Sequence, residues 1–192
     1  MLYLASASPR RRELLRQLGL EFKAMPSNID EERRAGESPA EYVTRVARDK
    51  ARFVAGLVKA RDLPGHPVLG ADTEVVLDGE IIGKPRDRQH GLEMLRRLAG
   101  RTHEVLSAVC LIDRGREHAA LSASRVSFVS MTETEIARYW ESGEPVDKAG
   151  AYAIQGKAAA FIARLEGSYS GVMGLPLHEL AVLLKKIGVG KA

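Results

Sequence analysis

The 192-residue chain holds a single cysteine, Cys110, so no internal disulfide can form. Cys110 sits in the apolar run Val109-Cys110-Leu111-Ile112 and reads as a small buried hydrophobe, which fits a reducing, cytoplasmic compartment. No apolar run approaches the length of a membrane span. Met1 to Ala5 is too short for a signal peptide, and arginines follow rather than precede it. Repeats and low-complexity tracts are absent. The five histidines, at 66, 90, 103, 118 and 178, show no metal-ligand spacing. No Gly-rich loop ends in Lys-Ser or Lys-Thr, which excludes a P-loop, and no nucleophile elbow is present. The net charge of +4 is mild, and only Arg10-Arg11-Arg12 is tightly basic. That excludes a broad nucleic-acid stripe, and no stable nucleic-acid complex is expected. A few cations converging on a small polyanion account for the balance.

What is present is a chain of ordinary globular composition, 45% hydrophobic and 28% charged, expected to form one domain over 1–192. Leu2 to Ala5 reads as a short strand. Ser8-Pro9 caps a helix carrying Leu14, Leu15 and Leu18 inward. Ser38-Pro39-Ala40-Glu41 is a capping box that opens a second helix. Its inner stripe is Val43, Ala47, Lys50 and Val54, so a lysine interrupts an apolar face. Val68 to Leu77 is a strand, Asp78-Gly79 a two-residue hairpin turn, and Glu80 to Gly83 the return. A helix follows over Asp87 to Leu98. Two long strands, Thr102 to Ile112 and Ala119 to Val129, join through Asp113-Arg114-Gly115. Helices over Thr132 to Glu141 and Leu177 to Ile187 complete the pattern. Residues 143–176 are left without assigned elements. Intermixed strands and helices with hairpins predict a mixed-sheet α/β fold.

Four features carry chemistry. In Ser6-Ala7-Ser8-Pro9-Arg10-Arg11-Arg12 a strand enters a helix, where free N–H groups, the helix dipole and guanidiniums favour an anion. The plain alternative there is an N-cap followed by solvated arginines. In Gly70-Ala71-Asp72-Thr73-Glu74, alternation puts Asp72 and Glu74 on one face of an apolar strand and Thr73 on the other. A carboxylate flanked by Val68-Leu69 and Val75-Val76 needs a cation, a metal or a polar cleft, and it can activate a water. Counting back through the hairpin brings Lys84 opposite Thr73, or opposite Asp72 with a one-residue slip. Lys50 either snorkels from the rim of the core or aims a cation into a cleft. With the acidic Asp30-Glu31-Glu32, these residues point to a metal-assisted phosphate site, and residue chemistry alone goes no further.

Here the sequence resembles the Maf family of nucleotide pyrophosphatases. The resemblance rests on Leu-Ala-Ser-Ala-Ser-Pro-Arg-Arg at 4–11, Asp30-Glu31, the Lys50 helix, Gly-Ala-Asp-Thr at 70–73 and Gly83-Lys84-Pro85. Further markers are Lys148 to Tyr152, Ile154-Gln155-Gly156 and Val172 to Pro176, so nearly the whole chain is covered. Ala7 stands where some relatives have Gly or Thr. The resemblance implies an elongated mixed sheet flanked by helices, two lobes around a cleft, an assembly that is often a homodimer, and a divalent cation such as Mg²⁺ or Mn²⁺. Cleavage would fall between the α- and β-phosphates. Asp72 matches the general base, Ser6, Arg11, Lys50 and Lys84 match substrate positions, and Glu31 with Asp72 matches the metal. Arg10, Thr73 and Gln155 match the specificity positions of the pyrimidine type, which acts on dTTP and UTP in a house-cleaning role. The 7-methylguanosine type instead resembles Pro-Trp-Arg-Arg, Ser-Asp-Gln and Ser-Glu-Gly at these places. A Gln amide donates to a uracil or thymine carbonyl and accepts from its ring N–H. The rival readings are a 7-methyl-GTP or deaminated-purine pyrophosphatase, and a non-catalytic regulator of cell division.

Overall fold

A computed structural model describes residues 1–189. In chain order the elements are β1 (Leu2–Leu4), α1 (Pro9–Gln17), β2 (Phe22–Ala24), α2 (Pro39–Ala60), β3 (Val68–Leu77), β4 (Glu80–Ile81) and α3 (Arg88–Leu98). Then come β5 (Thr102–Asp113), β6 (Arg116–Phe128), α4 (Glu133–Glu141), β7 (Ile162–Glu166), α5 (Tyr169–Met173) and α6 (Leu177–Lys186). Two 3₁₀ turns, Ala149–Ala151 and Lys157–Phe161, lie between α4 and β7. The predicted mixed-sheet α/β architecture is observed, and residues 143–176 contain an edge strand, β7, together with the two 3₁₀ turns and α5. Among the described residues no helix is long and apolar enough to cross a membrane.

Local chemistry explains the boundaries. Ser8 accepts from the Arg11 N–H with Pro9 at the first helical position, and Ser38 and Glu41 form both arms of their capping box. Asp78-Gly79 and Arg114-Gly115 both adopt positive φ (53° and 79°, 46° and 77°), the backbone of a type I′ turn that matches strand twist. The second hairpin is therefore tighter than Asp113-Arg114-Gly115 implied, because Asp113 pairs with Arg116.

One seven-stranded sheet runs β2-β1-β3-β5-β6-β7, with β4 attached to β3. β1 pairs in parallel with β2 and β3, and the remaining pairings are antiparallel. Alternation along β3 divides the core into two layers. Leu69, Ala71, Val75 and Leu77 pack with α1, α3 and α6, while Val68 and Val76 pack with Val43, Ala47, Ala51 and Val54 of α2. Gly70 lies where these layers press hardest. A Cβ there would overlap the Ala47 carbonyl oxygen and come within 2.7 Å of the Ala51 nitrogen. A glycine thus lets α2 rest directly on β3, which brings Lys50 down to the sheet.

The sheet has a gap. β5 covers the whole of one edge of β3, but the other edge is shared. β1 pairs only with Val68 and Leu69, and β4 only with Val76 and Leu77. Leu69 O accepts from Ala5 N and Val75 O from Ile82 N, both at 2.8 Å. By alternation the backbone groups of Ala71 and Thr73 face the same edge, where no strand among the described residues meets them.

Candidate active site

A cleft of about 720 Å³ opens at this gap. Ser6, Arg10, Arg11, Glu31, Lys50, Asp72, Thr73, Lys84 and Gln155 all line it, so the structure brings these sequence-derived positions together, while Arg12 stays outside. Asp30 and Glu32 are not among the lining residues, and Asp30 instead accepts from the Glu32 N–H at 2.9 Å.

The α2 face of β3 supplies the carboxylates. Asp72, 4% exposed, takes the Lys50 ammonium on Oδ1 at 2.8 Å. Lys50, 8% exposed, also reaches Glu31 Oε1 at 3.0 Å, and Tyr42 holds that loop by donating to the Glu31 carbonyl at 2.7 Å. The two carboxylates therefore converge on one cation, and that cation is a lysine. Asp72 Oδ2 and Glu74 Oε2 are buried with no hydrogen-bond partner. Burial pushes the Glu74 carboxyl up to about 8, the Asp72 charge adds to the rise, and Lys84 and Lys50 oppose it. Among the described residues no three His, Cys, Asp or Glu side chains stand close enough to hold a metal ion by themselves.

The β1–α1 junction supplies the anion-facing donors. Ser6 Oγ accepts from Ser8 N at 3.1 Å and from Arg11 Nη1 at 3.2 Å. Arg11 Nε donates to Gly174 O at 2.8 Å, which aims the guanidinium across the cleft. Burial holds the Arg11 pKa below its ordinary value, partly offset by Asp72, Glu31 and Glu74. Arg10 is lowered by burial and by Arg11, and Lys148 by burial and by Arg10. Cations crowded in this way await an anion.

Lys84 reaches the cleft by a route the hairpin register does not give. β4 ends at Ile81, and Ile82 makes the last bond to β3. Gly83, at φ 67°, then turns the chain away, and its carbonyl accepts from Gly150 N at 2.8 Å. Lys84 is thus placed by the 148–151 turn rather than by strand pairing.

Gln155 stands on a loop fastened from behind. Glu144 accepts from Lys157 N at 2.8 Å, Ala158 N at 3.2 Å and the Tyr139 hydroxyl at 2.7 Å. Gly156 leaves room for this carboxylate, since a Cβ there would have to push the Glu144 side chain aside. Tyr152, also on the cleft wall, is hydrogen-bonded at 2.8 Å to His103, which is 2% exposed. Burial lowers the His103 pKa to about 4. The unfolded chain therefore binds a proton near pH 6.5 that the folded chain refuses until about pH 4. Stability from this group is complete above 6.5 and lost as pH falls through that window. Urea titrations from pH 7 to pH 4 should show that decline, and it should flatten in His103→Gln.

Ser107, Gly174 and the His103–Tyr152 pair escaped the sequence reading. Ser107 had a signal, since it is a polar residue inside the apolar strand Val105 to Ile112. Gly174 and Tyr152 lay within family markers but carried no chemistry of their own.

Cations on one wall, carboxylates on the floor and an amide on the far wall define an α/β protein with a cleft suited to a polyanion that carries a ring. The family model described as Maf-like protein matches residues 1–187, and the chain belongs to that family. It is 54% identical over 98% of its length to the dTTP/UTP pyrophosphatase of Alkalilimnicola ehrlichii, covering 93% of that protein. Identity is 55% over 100% of the chain, and 93% of the relative, for the dTTP/UTP pyrophosphatase of Methylococcus capsulatus. For the protein of the same name from Chromobacterium violaceum it is 50%, covering 97% and 94%.

Proposed function

We propose that the chain hydrolyses dTTP and UTP to the nucleoside monophosphate and pyrophosphate, with Asp72 as the general base. The observation that carries this is the division of labour within one carboxylate. Lys50 holds Oδ1 at 2.8 Å, while Oδ2 is buried without a hydrogen-bond partner on a residue that lines the cleft. In the proposed reaction Oδ2 takes a proton from a water that attacks the α-phosphorus. The bond from that phosphorus to the α–β bridging oxygen breaks, and pyrophosphate leaves with that oxygen. Arg10, Arg11, Lys50 and Lys84 offset the phosphate charge, with guanidinium forks suited to phosphate oxygens. Gln155, held by the Glu144 network, meets the base with an amide that both donates and accepts.

The free oxygens of Asp72 and Glu74 suit a hard divalent cation. Asp72 and Glu31 would hold Mg²⁺ or Mn²⁺. Such an ion, when bound, neutralises phosphate charge and favours the departure of pyrophosphate. The test is pyrophosphate release across dTTP, UTP, CTP, GTP, ITP and 7-methyl-GTP. dTTP and UTP should lead by at least about tenfold in kcat/KM over the purines. Equal rates on purine triphosphates would defeat the pyrimidine assignment.

A further inference from the structure

Asp72 and Thr73 are adjacent, yet they serve opposite faces of β3. Asp72 looks toward α2, and Thr73 toward α5 and the loop that carries Gly174. Directly across the β3–β5 pairing from Thr73 stands Ser107, only 1% exposed. The two hydroxyls are hydrogen-bonded to each other. Ser107 Oγ also lies 2.7 Å from the carbonyl oxygen of Gly171 in α5.

This chain of three groups has only one consistent direction. A carbonyl oxygen accepts and never donates. A serine hydroxyl has one proton, so Ser107 gives it to Gly171 O. In the contact with Thr73, Ser107 must therefore accept, and Thr73 must donate. The single proton of Thr73 is thereby committed to the protein interior. Toward the cleft Thr73 Oγ1 offers lone pairs alone. A hydroxyl that could in principle donate or accept is fixed as an acceptor.

We propose that Ser107 is a positioning residue that sets the hydrogen-bond polarity of Thr73, so that the cleft selects bases with a ring N–H and rejects cytosine. The proposal rests on the pyrimidine reading above and extends it to the choice among pyrimidines. Uracil and thymine have one ring donor at the pairing edge, N3–H, which suits an acceptor-only Thr73 and leaves the Gln155 amide to donate its N–H to a ring carbonyl. Cytosine has a bare lone pair at N3, and two acceptors would then face each other in a desolvated site. Such a mismatch costs far more than the paired contact gains, because the buried groups lose water and find no partner.

The experiment measures kcat/KM for UTP and CTP in the full chain, in Ser107→Ala, in Thr73→Val and in the double variant, with thermal melts to verify folding. The wild-type chain should prefer UTP by about a hundredfold. In Ser107→Ala the Thr73 hydroxyl is free to rotate and donate to cytosine N3, so the preference should narrow by about tenfold. In the Thr73→Val background Ser107→Ala should shift the ratio by less than about twofold, since a residue acting through Thr73 has nothing left to act on. Gly171 O keeps its bond from Gly174 N at 3.0 Å in these variants, so α5 retains its closure. A folded Ser107→Ala with an unchanged ratio would overturn the proposal, and so would a shift that persists without the Thr73 hydroxyl. Equal wild-type rates on UTP and CTP would overturn it without any variant. Absence of hydrolysis on every pyrimidine triphosphate would instead defeat the parent reading, and this one with it.

Discussion

Asp72→Asn should lower turnover by roughly 10²–10⁴-fold while leaving the fold and nucleotide affinity largely intact, the loss expected when a general base is removed. The side chain keeps its shape, and an amide oxygen can still accept from Lys50 where Oδ1 does now. Lys50 keeps Glu31 at 3.0 Å, so the ammonium is not left buried and alone. What disappears is the basicity of the free oxygen. Steady-state kinetics beside calorimetric titration of a slowly hydrolysed nucleotide analogue separates the two effects. Unimpaired turnover in the variant would remove Asp72 from the role of base. A parallel loss of binding would make it chiefly a ligand-holding group.

Gly70→Ala should be the most damaging small substitution in the molecule. A methyl group there meets backbone of α2, the Ala47 carbonyl and the Ala51 nitrogen, and backbone cannot step aside as a flexible side chain can. The helix must lift from β3, at a cost of about 3 kcal/mol or more. Lifting α2 also draws Lys50 off Asp72, so activity per folded molecule should fall as well. Gly56→Ala is the control on the same helix, since nothing lies within 4 Å of its Cβ position. Its expected effect is a gain of about 0.5–1 kcal/mol from helix propensity. Urea denaturation of the pair measures both. Equal stabilities would mean that α2 is not seated on β3 as described.

The sequence made the fold legible where a local rule acts alone. Capping residues at Ser8 and Ser38 and the Asp78-Gly79 turn announce their elements within four residues, and alternation along β3 puts Asp72 and Glu74 on one face. Lys50 was visible because a charge in an apolar stripe demands an explanation, and the ion pair with Asp72 provides it. What stayed hidden depends on distant partners. The register placed Lys84 in the right neighbourhood for the wrong reason, because a bond from Gly150 to Gly83 lies 67 residues beyond any local pattern. β7 is an edge strand whose pairing with β6 includes a bulge at Ser127 and Phe128, so its alternation is blurred. The Glu144 network behind Gln155 ties that loop down through the backbone donors of Lys157 and Ala158, which no side-chain pattern reports. The specificity role proposed for Arg10, Thr73 and Gln155 came from resemblance, not from spacing.

The opening in the sheet carries a consequence for how the protein behaves in a crowded solution. Unpaired strand backbone is a template for intermolecular pairing and aggregation. Here the unpaired stretch of β3 is closed off at its two ends by β1 and β4, leaving the amide and carbonyl of Ala71 and Thr73 in a slot too short for another chain to enter as a strand. Thr73 lines the cleft while Ala71 is fully buried, so a foreign polypeptide finds no run of open backbone there. The interruption at which the cleft opens is therefore too brief to seed a fibril.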